Sequence, residues 1–314
     1  MALVIPAVYV AEFEFNLPIV TWVGGRDGVN IVADFVPADK PVDRYITFSA
    51  HYDSKTDLFD HEQRKPIYGF APIAMGCLLA ASVLGLVSFG RTWGQGAHRV
   101  GLALGCAGVV GLIMLALAFG GGLFVPAVRQ SPGARDDASA VAVLLATADQ
   151  IAADRQHLGR TAVRFVFFGG EEVNMQGSAA YSRSLSASGE GFDHGVVVNC
   201  EFIGGEEPFC YWESSGTFLS KFRASDSALQ LYQDALASLG LAPAISAGSI
   251  FDDAGRLLAA GLSAVTVGHA HPRSPGKYHN MLASVSRVVP ERLEETQAVF
   301  LRMITMTDRI EESL

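Results

Sequence analysis

The stretch from residue 165 to residue 178 constrains the fold of this chain more than any other. An apolar run of aromatic and β-branched residues, Val163–Phe168, predicts a buried strand that two glycines end. Two adjacent carboxylates, Glu171 and Glu172, stand where the chain then turns towards a helix. Ligands usually bind at this edge of an open α/β sheet, because its loops carry chemistry while the strands hold them in place. The sequence therefore predicts a functional site at the end of this strand.

Strands and helices alternate through most of the chain. Four more apolar segments are predicted to be strands, namely Val29–Phe35, Tyr45–Ala50, Gly195–Phe202 and Ser263–Val267. Helical periodicity is found in Asp137–Ala153, Gln176–Ser186, Phe218–Leu239 and a segment from Pro290. Alternation of this kind predicts a three-layer α/β sandwich with a mostly parallel central sheet.

Two long segments without charged residues, Ile67–Gly90 and Val100–Val128, interrupt this pattern. Each exceeds the ~20 helical residues needed to cross the hydrocarbon core of a bilayer. Gly101 and Gly105 offer a close-packing face to a neighbouring helix. We therefore expect residues 66–128 to form an inserted hairpin of two transmembrane helices, which divides one α/β domain into 1–65 and 129–314. This predicts a multi-pass membrane protein with the lipid bilayer as a partner.

Composition narrows the partners further. The net charge of −9, without a cluster of lysine or arginine, argues against binding to nucleic acid. Among the cysteines, Cys200 and Cys210 fall in apolar segments and are expected to be free, buried thiols, with a bridge between them as the alternative.

Polar side chains that suit a metal follow several of the predicted strands. His51, Asp136, Glu201 and the Glu171-Glu172 pair stand at strand or loop ends, and a later loop carries His279. Imidazole and carboxylate groups suit zinc, and a carboxylate shared by two ions can hold them together for hydrolysis of a carbonyl group. Asp136 and its neighbour Asp137 fit an alternative equally well, since acidic residues also cap the start of a helix.

Five short motifs carry these side chains. They are Ala50-His51-Tyr52-Asp53-Ser54, Gly133-Ala134-Arg135-Asp136-Asp137-Ala138-Ser139, Phe168-Gly169-Gly170-Glu171-Glu172, Asn199-Cys200-Glu201-Phe202-Ile203-Gly204 and Tyr278-His279. In this order they resemble the peptidase M28 family, which comprises co-catalytic zinc aminopeptidases and their glutaminyl cyclase relatives. The similarity covers about residues 29–60 and 129–314. Domains of the family usually have more residues ahead of the strand at Val29, so we expect this chain to be truncated or to start differently.

The resemblance implies a set of ligands for two zinc ions per chain. His51 and Glu201 would bind one ion, Glu172 and His279 would bind the other, and Asp136 would bridge the two.

The resemblance also implies catalytic roles. Glu171 would act as the general base that takes a proton from the attacking water and returns it to the leaving amine. Tyr278 lies where some members of the family place a hydroxyl that stabilises the oxyanion, and Asp53 lies where the family has an acid that supports the His51 ligand.

These features predict a membrane-anchored di-zinc metallopeptidase that hydrolyses the N-terminal peptide bond of short peptides. The resemblance favours the outer face for the catalytic domain, but the positive residues that flank the two uncharged segments do not, so the side stays open. Two alternatives stay open. The family usually has aspartate where this chain has Glu201, and glutamate there is found with carboxypeptidase or acylase activity. The segment from His51 to Lys55 and the pair Asp252-Asp253 are also similar to glutaminyl cyclases, which use one zinc for acyl transfer.

Overall fold

The structure is a computed structural model, and it describes residues 10–17, 25–38, 41–59, 61–89, 95–120, 126, 130–154, 158–188, 192–217, 219–270 and 278–308. The chain forms two compact units. The first, which we call the hairpin unit, comprises Met1–Gly25, Lys55–Ser131 and Lys277–Met281. The second, the sheet unit, comprises Arg26–Ser54, Pro132–Gly276 and Leu282–Leu314. The predicted domain limits at residues 65 and 128 stay a prediction.

The strands are all in the sheet unit and form two sheets. They are β1 (Ile31–Phe35), β2 (Arg44–His51), β3 (Thr161–Phe168), β4 (Val196–Glu201), β5 (Phe209–Trp212), β6 (Ser214–Gly216), β7 (Lys221–Arg223), β8 (Ile245–Ser246), β9 (Ser249–Ile250) and β10 (Ser263–His269). The helices of the described chain are α1 (His61–Phe89), α2 (Gln95–Gly120), α3 (Ser139–Ala153), α4 (Gln176–Ser188), α5 (Asp226–Ser238), α6 (Asp253–Ala259) and α7 (Pro290–Thr307).

The large sheet has the strand order β1-β3-β2-β4-β10-β5-β8. Its centre is parallel, because β2 pairs in parallel with β3 and β4, and β10 pairs in parallel with β4. The contacts of β1 with β3 and of β10 with β5 are antiparallel. The small sheet has the order β7-β6-β9. The predicted mostly parallel sheet is confirmed.

Side chains from the two faces of the large sheet enter two separate cores. On β3, Phe165 and Phe167 belong to the core that α3, α5 and α7 cover, whereas Val166 and Phe168 belong to the core that α4 and α6 cover. All eight residues of β3 are buried, as its mostly apolar sequence predicts, and its one charged residue, Arg164, is paired with Asp34. The sheet therefore lies between two helical layers, in agreement with the sequence.

The segment Phe218–Leu239 was predicted as one helix, and this is wrong for its first part. The short strand β7 occupies Lys221–Arg223, and α5 begins only at Asp226. The reason lies in Ser225, whose side chain accepts a hydrogen bond from the backbone N–H of Ala228 and so caps the helix there.

In the hairpin unit, α1 and α2 form an antiparallel pair that packs through small residues. Gly101 and Gly105 of α2 face Leu84 and Ala81 of α1 at ordinary contact distance. Further along, a Cβ atom on Gly108 or Gly111 would overlap α1. The predicted close-packing face of α2 is thus used against α1.

None of the helices in the described residues is both long and apolar enough to cross a bilayer. The prediction of two transmembrane helices, and with it the membrane localisation, is therefore wrong. That prediction rested on the length of two segments without charged residues. The helix α1 begins six residues earlier than the first of these segments, with the polar sequence His-Glu-Gln-Arg-Lys.

Gly268 of β10 provides a test of the sheet next to the predicted site. It pairs with Glu201 of β4, and a Cβ atom at this position would overlap the Glu201 carbonyl oxygen. We expect Gly268→Ala to lower the free energy of unfolding by about 1–3 kcal/mol, because a strand must move to make room. Gly28→Ala is the matched control, since no atom lies within 4 Å of its Cβ position. Equal stability of the two variants in urea denaturation would contradict this packing.

Candidate metal centre

Three neighbouring parallel strands end at one edge of the large sheet and deliver the predicted site residues. His51 is the last residue of β2 and pairs with Phe168, the last residue of β3. Glu201 is the last residue of β4, on the other side of β2. Glu171 and Glu172 follow β3 after two glycines. The register of a parallel sheet thus brings residues from distant parts of the sequence to one edge.

His51, Asp136 and Glu201 form a buried cluster at this edge. Nε2 of His51 lies 3.2 Å from Oδ1 of Asp136 and 4.0 Å from Oε2 of Glu201. One ligand atom from each residue lies within 4.8 Å of the other two. His51 and Glu201 were predicted to bind one ion, and Asp136 was predicted to be shared by two. The structure brings these three side chains together.

Asp136 and Asp137 are buried in the turn Ala134–Ala138, directly ahead of α3. Asp137 accepts a hydrogen bond from the backbone N–H of His51, at 3.4 Å. The side chain of Asp137 is therefore tied to the end of β2.

The turn with Glu171 and Glu172 is held by Asp53. One carboxylate oxygen of Asp53 accepts from the backbone N–H of Glu171 at 3.2 Å, and the other accepts from Glu172 at 3.1 Å. Nδ1 of His51 meets the backbone carbonyl oxygen of Asp53 at 2.9 Å and its carboxylate at 3.7 Å. An oxygen of Glu172 lies within 4.8 Å of Asp136. Asp53 therefore supports His51, as predicted, and also fixes the Glu171-Glu172 turn.

The electrostatics of the cluster are dominated by buried carboxylates. Burial raises the pKa of Glu171, of Glu201 and of Asp137 well above the ordinary range, and mutual repulsion adds to this. Burial alone would lower the pKa of His51, but hydrogen bonds with Asp136 and Asp53 and the charges of Glu171 and Glu201 raise it well above its usual value. Ionisation of each of these acids therefore costs free energy unless a cation lies nearby.

The donor set fits a bound metal ion. Within the described residues, Oε1 of Glu201 and Oδ1 of Asp137 are buried without a hydrogen-bond partner. Buried carboxylate oxygens are usually satisfied by hydrogen bonds or by coordination. Carboxylate oxygens together with an imidazole nitrogen are typical zinc ligands.

A comparison with protein families and known structures agrees with this geometry. The sequence model described as Peptidase family M28 matches residues 124–304, which is more than half of the chain. The chain belongs to peptidase family M28. No curated protein sequence matches it.

Solved structures with a fold similar to that of this M28 chain include aminopeptidases and glutaminyl cyclases. An aminopeptidase from Aneurinibacillus sp. strain AM-1 superposes with a TM-score of 0.52 at 17% identity, over 88% of this chain and 47% of that one. The zinc aminopeptidase BSAP from Bacillus subtilis gives 0.52 at 16%, over 91% and 51%. A glutaminyl cyclase from Porphyromonas gingivalis gives 0.53 at 14%, over 88% and 77%. The chain spans about half the length of the two aminopeptidases, and these likenesses show the fold.

Sequence reasoning missed Asp253 as part of the site. Asp253 is fully buried, and burial raises its pKa to about 7. The positive charge of His51 opposes this rise but does not cancel it. Its neighbour Asp252 accepts hydrogen bonds from Ser215, Thr266 and Asn199, which anchor the start of α6. The pair Asp252-Asp253 was visible in the sequence, but its approach to His51 depends on tertiary packing.

Two predicted residues, His279 and Tyr278, belong to the hairpin unit. There, Nδ1 of His279 lies 2.6 Å from Oδ2 of Asp57, and the Tyr278 ring meets the His279 ring edge-on at 4.7 Å between centroids. Asp57 is a further residue that sequence reasoning missed, because 222 positions separate it from His279. The roles of His279 and Tyr278 stay predictions.

The pKa shifts predict how the metal-free protein responds to pH. Asp253, with a pKa of about 7 against an ordinary 3.8, binds its proton more tightly when folded, so stability falls as the pH rises between these values. His51, with a pKa raised above 6.5, loses its stabilising contribution as the pH rises further. The pKa of Asp53 is lowered, because contacts with His51 outweigh the effect of burial. The stability that Asp53 contributes is therefore lost only as the pH falls below its ordinary pKa of 3.8.

We therefore expect the free energy of unfolding of the chelator-treated protein to fall from about pH 5 to about pH 8. Asp253→Asn should flatten the acidic half of this dependence, and added zinc should raise stability most at the alkaline end. Urea denaturation across the range provides the measurement. A chelator-treated protein that becomes more stable towards pH 8 would contradict these shifts.

Proposed function

We propose that this chain is a zinc-dependent exopeptidase that hydrolyses the N-terminal peptide bond of short peptides with the help of two zinc ions. The observation that carries the proposal is the buried cluster of His51, Asp136 and Glu201, with the Glu171-Glu172 turn held next to it by Asp53. Membership of peptidase family M28 supports the same class of reaction.

The proposed ligands follow from donor chemistry and from the family. His51 and Glu201 would hold one ion, Glu172 and His279 would hold the other, and Asp136 would be shared. The short distances from Asp136 to His51 and Glu172 support a shared carboxylate. When bound, zinc supplies Lewis acidity, which polarises a carbonyl group and makes water a stronger acid.

Glu171 is the proposed general base. Its carboxylate takes one proton from the attacking water as the new C–O bond forms, and it gives that proton to the amine nitrogen as the C–N bond breaks. Burial raises its pKa, which makes the carboxylate a stronger base near neutral pH. The hydrogen bond from its backbone N–H to Asp53 holds it in position.

Tyr278 is the proposed donor to the oxyanion that forms during the attack. A phenol O–H can donate a hydrogen bond to such an oxygen in the transition state. The support is its position in the sequence next to His279, together with the contact between the two rings.

The length of the Glu201 side chain affects which end of a substrate the site can accept. This side chain is one methylene longer than the aspartate usual in the family, so its carboxylate reaches further towards the space that an α-amine would occupy. We propose a free N-terminus as the recognised group, with an N-acyl or C-terminal substrate as the alternative that glutamate at this position favours.

The experiment that tests the function combines metal content with a substrate panel. We expect two zinc ions per chain and release of free N-terminal residues from aminoacyl substrates, with no cleavage of their N-acetylated counterparts. Cleavage of acylated or C-terminal substrates only would make the chain an acylase or a carboxypeptidase. One zinc ion per chain, with formation of pyroglutamate from N-terminal glutamine, would make it a glutaminyl cyclase.

Replacement of the proposed base separates chemistry from metal binding. We expect Glu171→Gln to keep the zinc content of the wild type and to lower kcat by about 10²–10⁴-fold, because an amide cannot accept the proton. Glu213→Gln, an exposed position on the same unit, serves as the control with normal kcat. An E171Q protein with full zinc and normal kcat would exclude Glu171 as the base.

A further inference from the structure

Asp57 and His279 are joined twice within the hairpin unit, although they are far apart in sequence. Oδ2 of Asp57 lies 2.6 Å from Nδ1 of His279. The backbone N–H of Asp57 also donates to the carbonyl oxygen of His279, at 2.9 Å. The two contacts fix both the backbone and the ring of His279 against one residue.

The Asp57 side chain is enclosed and has a cationic neighbour. It has no exposed surface, and Nζ of Lys55 lies 3.5 Å from its Oδ1. The His279 ring lies against its other carboxylate oxygen.

The backbone of His279 is held in an uncommon conformation. Its φ angle is +61°, in the left-handed region that residues other than glycine seldom adopt. Such conformations persist where the surrounding contacts hold them, and they are frequent at functional sites. The hydrogen bond from the Asp57 N–H to the His279 carbonyl is a contact of this kind.

We propose that Asp57 is a positioning residue for His279. An ionised carboxylate only accepts hydrogen bonds, so the proton of the neutral imidazole lies on Nδ1. The lone pair on Nε2 then points away from Asp57 and is the one that can bind a metal ion. A carboxylate partner also makes the ring a better ligand, because it raises the electron density on the opposite nitrogen. This inference rests on the proposed function, in which His279 is a zinc ligand.

The test measures zinc affinity in Asp57→Asn by competition with a chelator. We expect one of the two zinc ions to bind about 10–100-fold more weakly and the other to bind as in the wild type, because an amide lacks the charge and can stabilise the wrong tautomer. Asp43→Asn is the matched control. Asp43 belongs to the sheet unit and forms an ion pair there with Arg160, at 2.5 Å. This variant should keep both affinities.

His279→Ala separates this inference from the function on which it rests. If H279A loses one zinc ion while D57N keeps wild-type affinity for both, the role of Asp57 is overturned and the ligand set stands. If H279A keeps both ions with unchanged affinity, His279 is not a ligand, and the proposed ligand set and the role of Asp57 both fail.

A second measurement needs no variant of Asp57. In ¹⁵N spectra of the metal-free protein, with the His279 signals identified by their loss in H279A, we expect the tautomer protonated on Nδ1. A ring protonated on Nε2 would overturn the proposal even if D57N did not fold. A merely structural role for Asp57 would lower the stability of the metal-free D57N protein without shifting zinc affinity.

Discussion

Mutual repulsion among buried carboxylates is the interaction on which the rest of the site depends. Burial and repulsion raise the pKa values of Asp137, Glu171 and Glu201 together, while His51 is the basic group that meets them directly. A protein can tolerate such a cluster by protonating it or by neutralising it with a cation. Protonation would remove the ligand and base properties of the same groups, so a bound cation accounts for the arrangement better.

The sheet makes this concentration of charge possible. β2 lies between β3 and β4, and both faces of the sheet are covered by helices, so the ends of the strands cannot separate without exposing two cores. The absence of a side chain at Gly268 lets β10 approach the Glu201 carbonyl closely. Asp53 then couples the His51 end of β2 to the turn after β3. The proposed catalytic and metal-binding groups are therefore held by the same contacts.

Local sequence patterns were sufficient where local physics determines the structure. The apolar run of β3 and the glycines after it predicted a buried strand with acids at its end, and the resemblance to family M28 named His51, Asp136 and Glu201, which lie together. Patterns failed where packing decides. Asp57 contacts His279, although most of the chain lies between them in sequence. Asp253 approaches His51 because its neighbour Asp252 is anchored by hydrogen bonds. Ser225 caps the start of α5 inside a segment whose helical pattern continues on both sides of it. The long segments without charged residues, which form most of α1 and α2, were likewise taken as a membrane signal, and the described helices do not bear this out.

The central claim is that the edge formed by β2, β3 and β4 is a zinc centre. Diffraction data from zinc-saturated crystals, collected on both sides of the zinc absorption edge, test it most directly. The account predicts an anomalous peak about 2.0–2.2 Å from Nε2 of His51 and from carboxylate oxygens of Asp136 and Glu201. Anomalous density found only elsewhere on the molecule, with none between these three side chains, would contradict it.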